Sequence, residues 1–440
     1  MVDLTILGGG AAGSRTAMLA AKAGFSVVLI ECGASGGGAV NEGFWPYRGM
    51  LSDAADVMRG REGFLGLRML SESHIYSAML KHMRAEVDAL AASQAETLKT
   101  LGAETVCSAG CVEGLRRGRY IVKAGGTDYE SRRLMLCPGS MPLIPDLPDI
   151  ERFISDEFVI TPKELLYQKL PERAVVEGGG IRSLQMAAWL AANRVRTALV
   201  CPGQSIAAEL DKDVAEWLKN NIKGIDFVTN AGISALKPEH AVLSINGMER
   251  AARCDKVVIG GRRRPATRGI GLDNTGVSLK NGAIVTDSTC QTNLPDVYAA
   301  GDVNMRSLSA IGAFREAEVS VSNMMGRKAN MRYDAVPRIF MCGAAGASVG
   351  ETEESAGAGG HRFSCVKESI RGSGRNGFVK VLADEKGRVL GAHMCGYGDT
   401  GVIWELSACI ENNADITEAA RYICPRTDAA EAVQRALLRL

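Results

Sequence analysis

A glycine-rich turn between two short apolar runs at the start of the chain limits the possible folds more than any other feature. Residues 3–7 (DLTIL) and 26–30 (SVVLI) predict buried strands, and 14–23, rich in Ala and Leu, predicts the helix that joins them. The turn GGGAAG, at 8–13, follows the first strand and opens the helix. This order is that of a βαβ unit, which requires a parallel sheet.

The spacing inside the turn indicates what the unit binds. Its glycines stand at Gly8, Gly10 and Gly13, the G-x-G-x-x-G pattern. The first glycine allows the turn, the second lets the backbone approach a pyrophosphate, and the third lets the helix pack closely on the strand. Glu31 ends the second strand, where a carboxylate accepts hydrogen bonds from ribose hydroxyls. The complete pattern predicts a dinucleotide site.

The same unit recurs later in the chain, and this duplication predicts the architecture. A second strand, glycine turn and helix begin at Ala174 (AVVEGGGIRSLQM), and a strand follows at 196–200. The other predicted elements are a long helix at 77–99, a small β-meander at 103–137, a hairpin at 377–396 and helices at 401–412 and 427–439. We therefore expect an α/β protein with two Rossmann-like nucleotide-binding domains and an α+β C-terminal domain.

Composition excludes several classes of partner. Lys and Arg number 51 against 50 Asp and Glu, a net charge of +1, so no overall attraction to nucleic acid or anionic lipid is encoded. The chain opens on a strand pattern without the features of a secretion signal, and no apolar run reaches the roughly 18 residues of a membrane span. Twelve cysteines are scattered without metal-binding spacing. They predict reduced thiols in a cytoplasmic protein and no metal site.

Several motifs in order carry a resemblance to a known family. The N-terminal unit, the run TNLPDVYAAGD ending at Asp302 and the run LMLCPGS at 134–140 resemble the FAD-binding signatures of the pyridine nucleotide–disulfide oxidoreductases, chiefly dihydrolipoamide dehydrogenase. The resemblance implies that Asp302 binds the ribityl chain of FAD, that Gly110 passes close to the adenine, and that Gly139 and Ser140 line the crossing between domains.

The resemblance extends to the C-terminal part. The runs GASVGETEESA at 346–356 and GFVKVLADEKGRVLGAHMCG at 377–396 resemble the dimerisation domain of that family, which implies a homodimer. The implied domains are an FAD-binding domain at 1–148 and 270–334, an NAD(P)-binding-like domain at 149–269 and a dimerisation domain at 335–440.

The stretch ASGGGAVNEGFWPYRGML, at 34–51, departs from the family at its redox centre. In the family this segment carries a disulfide between two cysteines separated by four residues, and here the two positions hold Ala39 and Phe44. Arg48 stands where the family has a lysine beside the flavin, and the glutamate partner of that lysine aligns with Gln185. The resemblance therefore implies a flavin site without its disulfide, in which Phe44 and Arg48 border the ring.

The C-terminus departs in a parallel way. The family ends with a histidine and, five residues later, a glutamate, which one subunit contributes to the other as an acid–base pair. In the run CPRTDAAEAV the glutamate is kept as Glu431, but Arg426 holds the histidine position. The chain has five histidines and none beyond His393. We take Arg426, Glu431, Arg48 and Phe44 as the candidate catalytic residues.

The second nucleotide turn is also altered. It reads Gly178, Gly180 and Ser183, and serine is a tolerable variant because it is small. Gly261 closes the later run KVVIGG, and the three arginines that follow, at 262–264, either bind phosphate or form a solvated basic turn. The strand at 196–200 ends at Cys201, where an acid would favour NAD and an arginine NADP. Binding of NAD(H) or NADP(H) is left open.

Three functions fit these observations. The first is an FAD-dependent oxidoreductase that passes electrons directly between the flavin and a small anionic substrate or a redox partner protein, without lipoamide dehydrogenase activity. The second is a non-catalytic FAD-binding protein that recruits a partner. The third is a disulfide reductase with relocated thiols, for which Cys424 is the candidate and the pair Cys107 and Cys111 is a weaker one.

Overall fold

The chain folds into two compact units, seen here in a computed structural model. The structure describes residues 2–41, 46, 49, 72–370, 377–396 and 399–440. Of these, the first unit contains 2–41, 46, 49, 77–143 and 263–333, and the second contains 72–76, 144–262 and the described residues from 334 to 440.

The strands, numbered in chain order, are β1 Val2–Leu7, β2 Val27–Glu31, β3 Glu104–Cys107, β4 Gly110–Arg116, β5 Arg119–Ala124, β6 Thr127–Leu136, β7 Ser140–Pro142, β8 Val159–Ile160, β9 Arg173–Glu177, β10 Arg196–Val200, β11 Ile225–Val228, β12 Ala231–Lys237, β13 His240–Ile245, β14 Met248–Arg253, β15 Lys256–Val258, β16 Arg263–Pro265, β17 Leu279–Lys280, β18 Ala283–Ile284, β19 Val297–Ala299, β20 Arg338–Met341, β21 Ala345–Gly350, β22 Phe363–Ile370, β23 Gly377–Asp384 and β24 Val389–Gly396.

The helices are α1 Ala11–Lys22, α2 Gly37–Asn41, α3 Glu72–Thr100, α4 Ile150–Ser155, α5 Pro162–Leu165, α6 Ile181–Ala192, α7 Lys212–Asn221, α8 Ala310–Met324, α9 Glu353–Ala358, α10 Ile403–Asn412, α11 Ile416–Ala419 and α12 Asp428–Arg439. Short 3-10 turns lie at Leu272–Asn274, Asp302–Asn304, Tyr333–Ala335 and Thr400–Val402. The helices predicted at 14–23, 77–99, 401–412 and 427–439 are therefore confirmed, with ends shifted by a few residues.

The main sheet of the first unit has the strand order β3-β2-β1-β6-β5-β4, with β19 beside β6. β1 pairs in parallel with both β2 and β6, which confirms the first βαβ unit. Leu4 and Ile6 of β1 pack in a cluster with α1 and α8, while Leu7 joins a cluster on the other face. Because both faces of the sheet are covered, β1 and β2 are almost continuously apolar in sequence.

The predicted β-meander at 103–137 is only partly right. Strands β4, β5 and β6 are antiparallel neighbours, as expected, but β3 pairs in parallel with β2. The second half of β6 pairs in parallel with β1 and β19. The segment is therefore part of the main sheet. Its alternating pattern could not reveal this, since alternation reports which face is buried and not which strand is the neighbour.

The second unit contains the second nucleotide-type fold. Its parallel sheet has the order β11-β10-β9-β15-β8, and α6 connects β9 to β10 as the repeated motif predicted. Strands β12, β13 and β14 form a separate antiparallel sheet, which the sequence analysis did not predict.

The C-terminal part of this unit is an antiparallel sheet of order β20-β21-β24-β23-β22. The predicted hairpin is confirmed as β23 and β24, and α10 and α12 share one buried apolar cluster with the sheet. Lys380 of β23 is 97 % buried, and its Nζ lies 3.0 Å from both carboxylate oxygens of Asp211 and 3.2 Å from Asp213 and Glu353. Asp211 is completely buried. This charge cluster ties the start of α7 to the C-terminal sheet.

Within the described ranges, no helix combines the length and the apolar character that crossing a membrane requires.

Candidate cofactor and catalytic site

The first glycine turn has the geometry that a dinucleotide needs. Gly8 has φ +100°, and a Cβ on it would overlap the carbonyl oxygen of Cys137. A Cβ on Gly13 would overlap the carbonyl oxygen of Gly8, so α1 approaches the turn as closely as the pattern predicted. By contrast, a Cβ on Gly10 would meet nothing within 4 Å. Gly10 thus leaves open space before the N-terminus of α1, where a pyrophosphate binds in this motif.

Glu31 is held at the edge of this turn. Its Oε2 accepts a hydrogen bond from the Gly9 backbone at 2.5 Å, and its Oε1 accepts one from Gly33 at 2.7 Å. Burial together with the neighbouring Glu31 charge raises the pKa of the Cys32 thiol. The two backbone hydrogen bonds fix the Glu31 carboxylate at the end of β2, next to the turn, in the position from which it would accept ribose hydroxyls.

The glycines of the 34–51 stretch bring its backbone onto the same turn. Gly36 and Gly37 have φ +89° and +55°, and a Cβ on Gly37 would lie 2.6 Å from the Cα of Gly10. Asn41 supports this bend by donating from its side-chain amide to the carbonyl of Ser35 at 2.9 Å. The segment that opens the altered redox stretch is thus packed against the dinucleotide turn.

Asp302, Ser140 and Arg263 form a hydrogen-bonded cluster. The Ser140 hydroxyl donates to Asp302 Oδ2 at 2.6 Å. The Arg263 guanidinium donates from Nε to the Ser140 hydroxyl and from Nη2 to the Ser140 carbonyl, each at 2.6 Å, and its Nε lies 3.8 Å from Asp302. Asp302 and Ser140, which the resemblance places along FAD, are therefore brought together, and Arg263 orients both.

Arg263 binds Ser140 and neither of the partners predicted for the three arginines. The arginines at 262–264 were expected either to bind phosphate or to form a solvated turn, but only 19 % of the Arg263 side chain is exposed. Strand β16 pairs with β7, which places Arg263 beside Ser140, 123 residues earlier in the chain. A composition pattern of three arginines contains no information about this pairing, because it depends on a contact that is distant in sequence.

Gly110 and Gly139 are explained partly by packing. A Cβ on Gly110 would lie 2.4 Å from the end of the Leu7 side chain and 2.9 Å from Ile30, so core packing favours a glycine there. Gly139 has φ +75° and starts the turn that leads to Ser140. Their predicted contacts with the cofactor stay predictions.

The second glycine turn keeps the fold but not the binding groups. Ser183, in the third position, donates its hydroxyl to the Glu177 carbonyl at 2.9 Å. The Ser183 hydroxyl oxygen fills the space that a Cβ on Gly261 would occupy. Gly178 has φ +115°, as the motif requires. Glu177 is buried and pairs with Arg262 at 3.3 Å. The turn is structurally intact, with serine as the third small residue.

Two groups occupy this second turn. Cys201, at the tip of β10, is buried, lies against Gly179 and donates its thiol to the Ser205 carbonyl at 3.3 Å. Glu209 Oε1 accepts a hydrogen bond at 2.6 Å from the backbone of Ile181, the first residue of α6. Glu209 lies outside the motif, in the segment between β10 and α7, so the glycine pattern did not predict its role.

Arg426 and Glu431 face each other at the C-terminus. The Arg426 Nη1 lies 3.7 Å from Glu431 Oε1, and Thr427 between them caps α12 by accepting from the Ala430 backbone. The other Glu431 oxygen lies 3.9 Å from Arg435. In the single chain 78 % of the Arg426 side chain is exposed, so its guanidinium is accessible there and lies within ion-pair distance of Glu431. An ion pair therefore occupies the two positions at which the resemblance implies the histidine and glutamate of the family.

All twelve cysteines lie among the described residues, and each is a free thiol. Burial raises the pKa of Cys254, Cys290 and Cys365 to about 12 and that of Cys409 to about 11. It also raises the pKa of the deeply buried thiols Cys137, Cys342 and Cys395. These thiols are protonated at neutral pH and so are poor nucleophiles. Cys424 is partly exposed.

Two predicted site residues, Phe44 and Arg48, lie outside the described residues. Ala39, in the first of the two family cysteine positions, lies on α2 and is partly exposed. Across the described ranges, no group of three or more His, Cys, Asp or Glu residues is arranged to hold a metal ion.

Two glycine-turn βαβ folds in one chain, with Glu31 and Asp302 at the first, define a flavoprotein built on the dinucleotide-binding fold. The family model described as pyridine nucleotide-disulphide oxidoreductase matches residues 2–326, and its dimerisation domain matches 336–437. The chain belongs to this family. FAD is the cofactor of the family, and the open space at Gly10 with the acid at Glu31 fits it.

Curated relatives include dihydrolipoyl dehydrogenase of Bacillus subtilis (strain 168), 26 % identical with 99 % of this chain and 97 % of that protein covered. The mitochondrial dihydrolipoyl dehydrogenase of Homo sapiens is 25 % identical, with 99 % and 90 % covered. Among solved structures, LpdA from Mycobacterium tuberculosis has a TM-score of 0.89 at 21 % identity over 100 % of this chain and 99 % of that one. The flavoprotein disulfide reductase RclA from Escherichia coli has a TM-score of 0.83 at 19 % identity, covering 98 % and 99 %.

The dimerisation domain indicates a homodimer. Large apolar side chains are exposed on the C-terminal part of the single chain, with Trp404 at 77 %, Ile423 at 98 % and Leu438 at 69 %. Exposed apolar side chains of this size are expected where a second subunit packs.

Proposed function

We propose that this protein is an FAD-dependent oxidoreductase that exchanges electrons directly between the flavin and an anionic small molecule or a redox partner protein, without a C-x4-C disulfide. Bound FAD would supply the electron transfer itself. The chain would supply a rigid cofactor site through Glu31, Asp302, Ser140 and Arg263, and an anion-binding group through Arg426. A cytoplasmic location and the domain boundaries given above remain predictions.

The replacement of histidine by Arg426 carries this proposal. A guanidinium stays protonated throughout the physiological pH range and cannot act as the acid–base group that thiol chemistry needs. It does bind carboxylates and phosphates through charge-assisted hydrogen bonds. Glu431 lies 3.7 Å from the guanidinium and leaves it exposed. The arrangement therefore suits the binding of an anion better than the relay of a proton.

The cysteines support the same interpretation. A relay by relocated thiols needs a reactive pair, yet burial raises the pKa of most thiols in the chain. The candidates named from the sequence, Cys424 and the weaker pair Cys107 and Cys111, are all free thiols, whereas a disulfide requires two sulfurs held within a narrow distance.

Thiol counting tests the absence of a disulfide relay. We expect the oxidised, FAD-loaded protein to show twelve titratable thiols when denatured, because every cysteine is free. Photoreduction of the flavin under anaerobic conditions should leave that number unchanged. A gain of two thiols on reduction would refute the proposal in favour of a disulfide reductase, and the Cys424→Ala variant would then show whether Cys424 participates.

Replacement of Arg426 tests the anion-binding role. With ferricyanide as an anionic acceptor and an uncharged benzoquinone for comparison, Arg426→Ala should raise KM for ferricyanide about tenfold, the value of one charge-assisted hydrogen bond. The KM for benzoquinone should change little, and Arg426→Lys should recover part of the loss. Arg421→Ala, which removes another exposed arginine nearby, is the control. Equal effects on both acceptors would contradict the proposal.

A non-catalytic FAD-binding role is the second candidate, and the altered second nucleotide turn favours it. Under this alternative, no acceptor would reoxidise the photoreduced protein-bound flavin faster than it reoxidises free reduced FAD. Arg426→Ala would then change only stability. A flavin that reoxidises with saturation kinetics on an anionic acceptor excludes this candidate.

A further inference from the structure

The second glycine turn holds a carboxylate of this chain at the place where the motif binds pyrophosphate. The Ile181 N–H, at the N-terminus of α6, donates to Glu209 Oε1 at 2.6 Å. A Cβ built on Gly180 would lie 3.1 Å from the same oxygen. Exposed N–H groups and the positive end of the helix dipole both attract anions. Glu209 therefore already occupies the hydrogen-bond donor that a phosphate would use at the start of α6.

The two glycine turns of the chain differ in this respect. In the first turn, the corresponding glycine is Gly10, and a Cβ there would meet nothing within 4 Å. In the second, Gly180 has the carboxylate of Glu209 directly beside it. The two turns share their backbone pattern, with positive φ at Gly8 and Gly178. The two turns therefore differ in one respect: the space beside Gly10 is open, whereas the Glu209 side chain fills the space beside Gly180.

Two neighbouring groups act in the same direction. Glu177, which precedes the turn, is 93 % buried, and within the described part of the chain its Oε2 has no hydrogen-bond donor, although Oε1 is near Arg262. Cys201 occupies the tip of β10, where an acid would otherwise receive a ribose, and its thiol is already bonded to Ser205. The second turn thus has a second carboxylate close by, one oxygen of which pairs with Arg262, and it lacks a ribose acceptor.

We propose that Glu209 is a specificity-determining residue that excludes pyridine nucleotides from the second turn, so that the flavin takes its electrons from a donor that does not bind there. A pyrophosphate and the Glu209 carboxylate would compete for the same N–H, and the two like charges repel each other. The inference rests on the proposed function only in treating the protein as FAD-loaded.

Binding of ADP-ribose to the FAD-loaded protein, measured by calorimetry, tests this inference. ADP-ribose carries the pyrophosphate but cannot reduce a flavin, so the measurement reports binding alone. Wild-type protein should bind with Kd in the millimolar range or weaker. Glu209→Gln, which removes the charge, should bind at least tenfold more tightly, and Glu209→Ala, which also clears the space, should gain more.

Glu216→Gln is the matched control, since it makes the same charge change at an exposed position on the nearby helix α7. Its affinity should equal that of wild type. Micromolar binding by the wild-type protein, or an equal affinity in wild type and both Glu209 variants, would overturn the inference, as would an equal gain in Glu216→Gln. Melting temperatures within two degrees or so would show that the exposed substitutions leave folding intact. Because thiol counting does not involve nucleotide binding, failure of one proposal does not imply failure of the other.

Discussion

Gly13→Ala is expected to prevent the first unit from folding correctly. The added Cβ would overlap the carbonyl oxygen of Gly8, a backbone atom that cannot rotate away. Relief requires α1 to move off the sheet, which breaks its packing against β1 and α8. We expect a loss of about 3 kcal/mol or more in the free energy of unfolding, at the upper end for overpacked cores. Urea denaturation of the apoprotein and soluble yield would measure it.

Gly10→Ala is the matched control, because it should weaken FAD binding and leave the stability of the apoprotein nearly unchanged. Its Cβ would enter open space, so the stability of the apoprotein should change by less than about 1 kcal/mol. The methyl group would nevertheless stand where the pyrophosphate approaches the backbone, and we expect FAD to bind at least tenfold more weakly. A Gly10→Ala protein that retains FAD at wild-type affinity would show that this turn is not the cofactor site.

Lys380→Met is expected to have the second large effect. Although burial alone would lower the pKa of Lys380, hydrogen bonds and the charge of Asp211 raise it above its ordinary value. Removing the ammonium leaves the Asp211 carboxylate buried without its counter-charge. Breaking a buried ion pair in this way costs about 3–5 kcal/mol. The shift in the urea midpoint and in Tm of the second unit would measure the loss.

A double variant and a control identify the cause. Lys380→Met combined with Asp211→Asn removes both charges, and the amide oxygen still accepts from the Asp213 backbone at the start of α7. It should therefore recover more than half of the lost stability. Lys367→Met removes a half-exposed lysine, 3.1 Å from Asp213, and should cost no more than about 1 kcal/mol. If the double variant were as unstable as Lys380→Met, the loss would come from packing and not from charge.

Local sequence patterns predicted the geometry of the first glycine turn but few of the side-chain contacts around the cofactor site. Gly8, Gly10 and Gly13 have the geometry that the spacing predicted, since a turn and a helix start are decided by adjacent residues. The cluster of Asp302, Ser140 and Arg263 was predicted only in part. Its members come from segments up to 162 residues apart, and side-chain chemistry alone left Arg263 assigned to phosphate or to solvent.

The sequence by itself predicted the two βαβ units, which the structure confirms, and it stays the basis for placing Ala39 and Phe44 at the family cysteine positions and Arg426 at the histidine position. These conclusions depend on residue identity and on short spacings, which a sequence states directly. Tertiary structure alone decided that Glu209 bonds the start of α6 and that Lys380 meets Asp211, 169 residues away. The reason is physical: the strength of a charge interaction depends on the distance and burial of its partners, and both are fixed only when distant segments pack together.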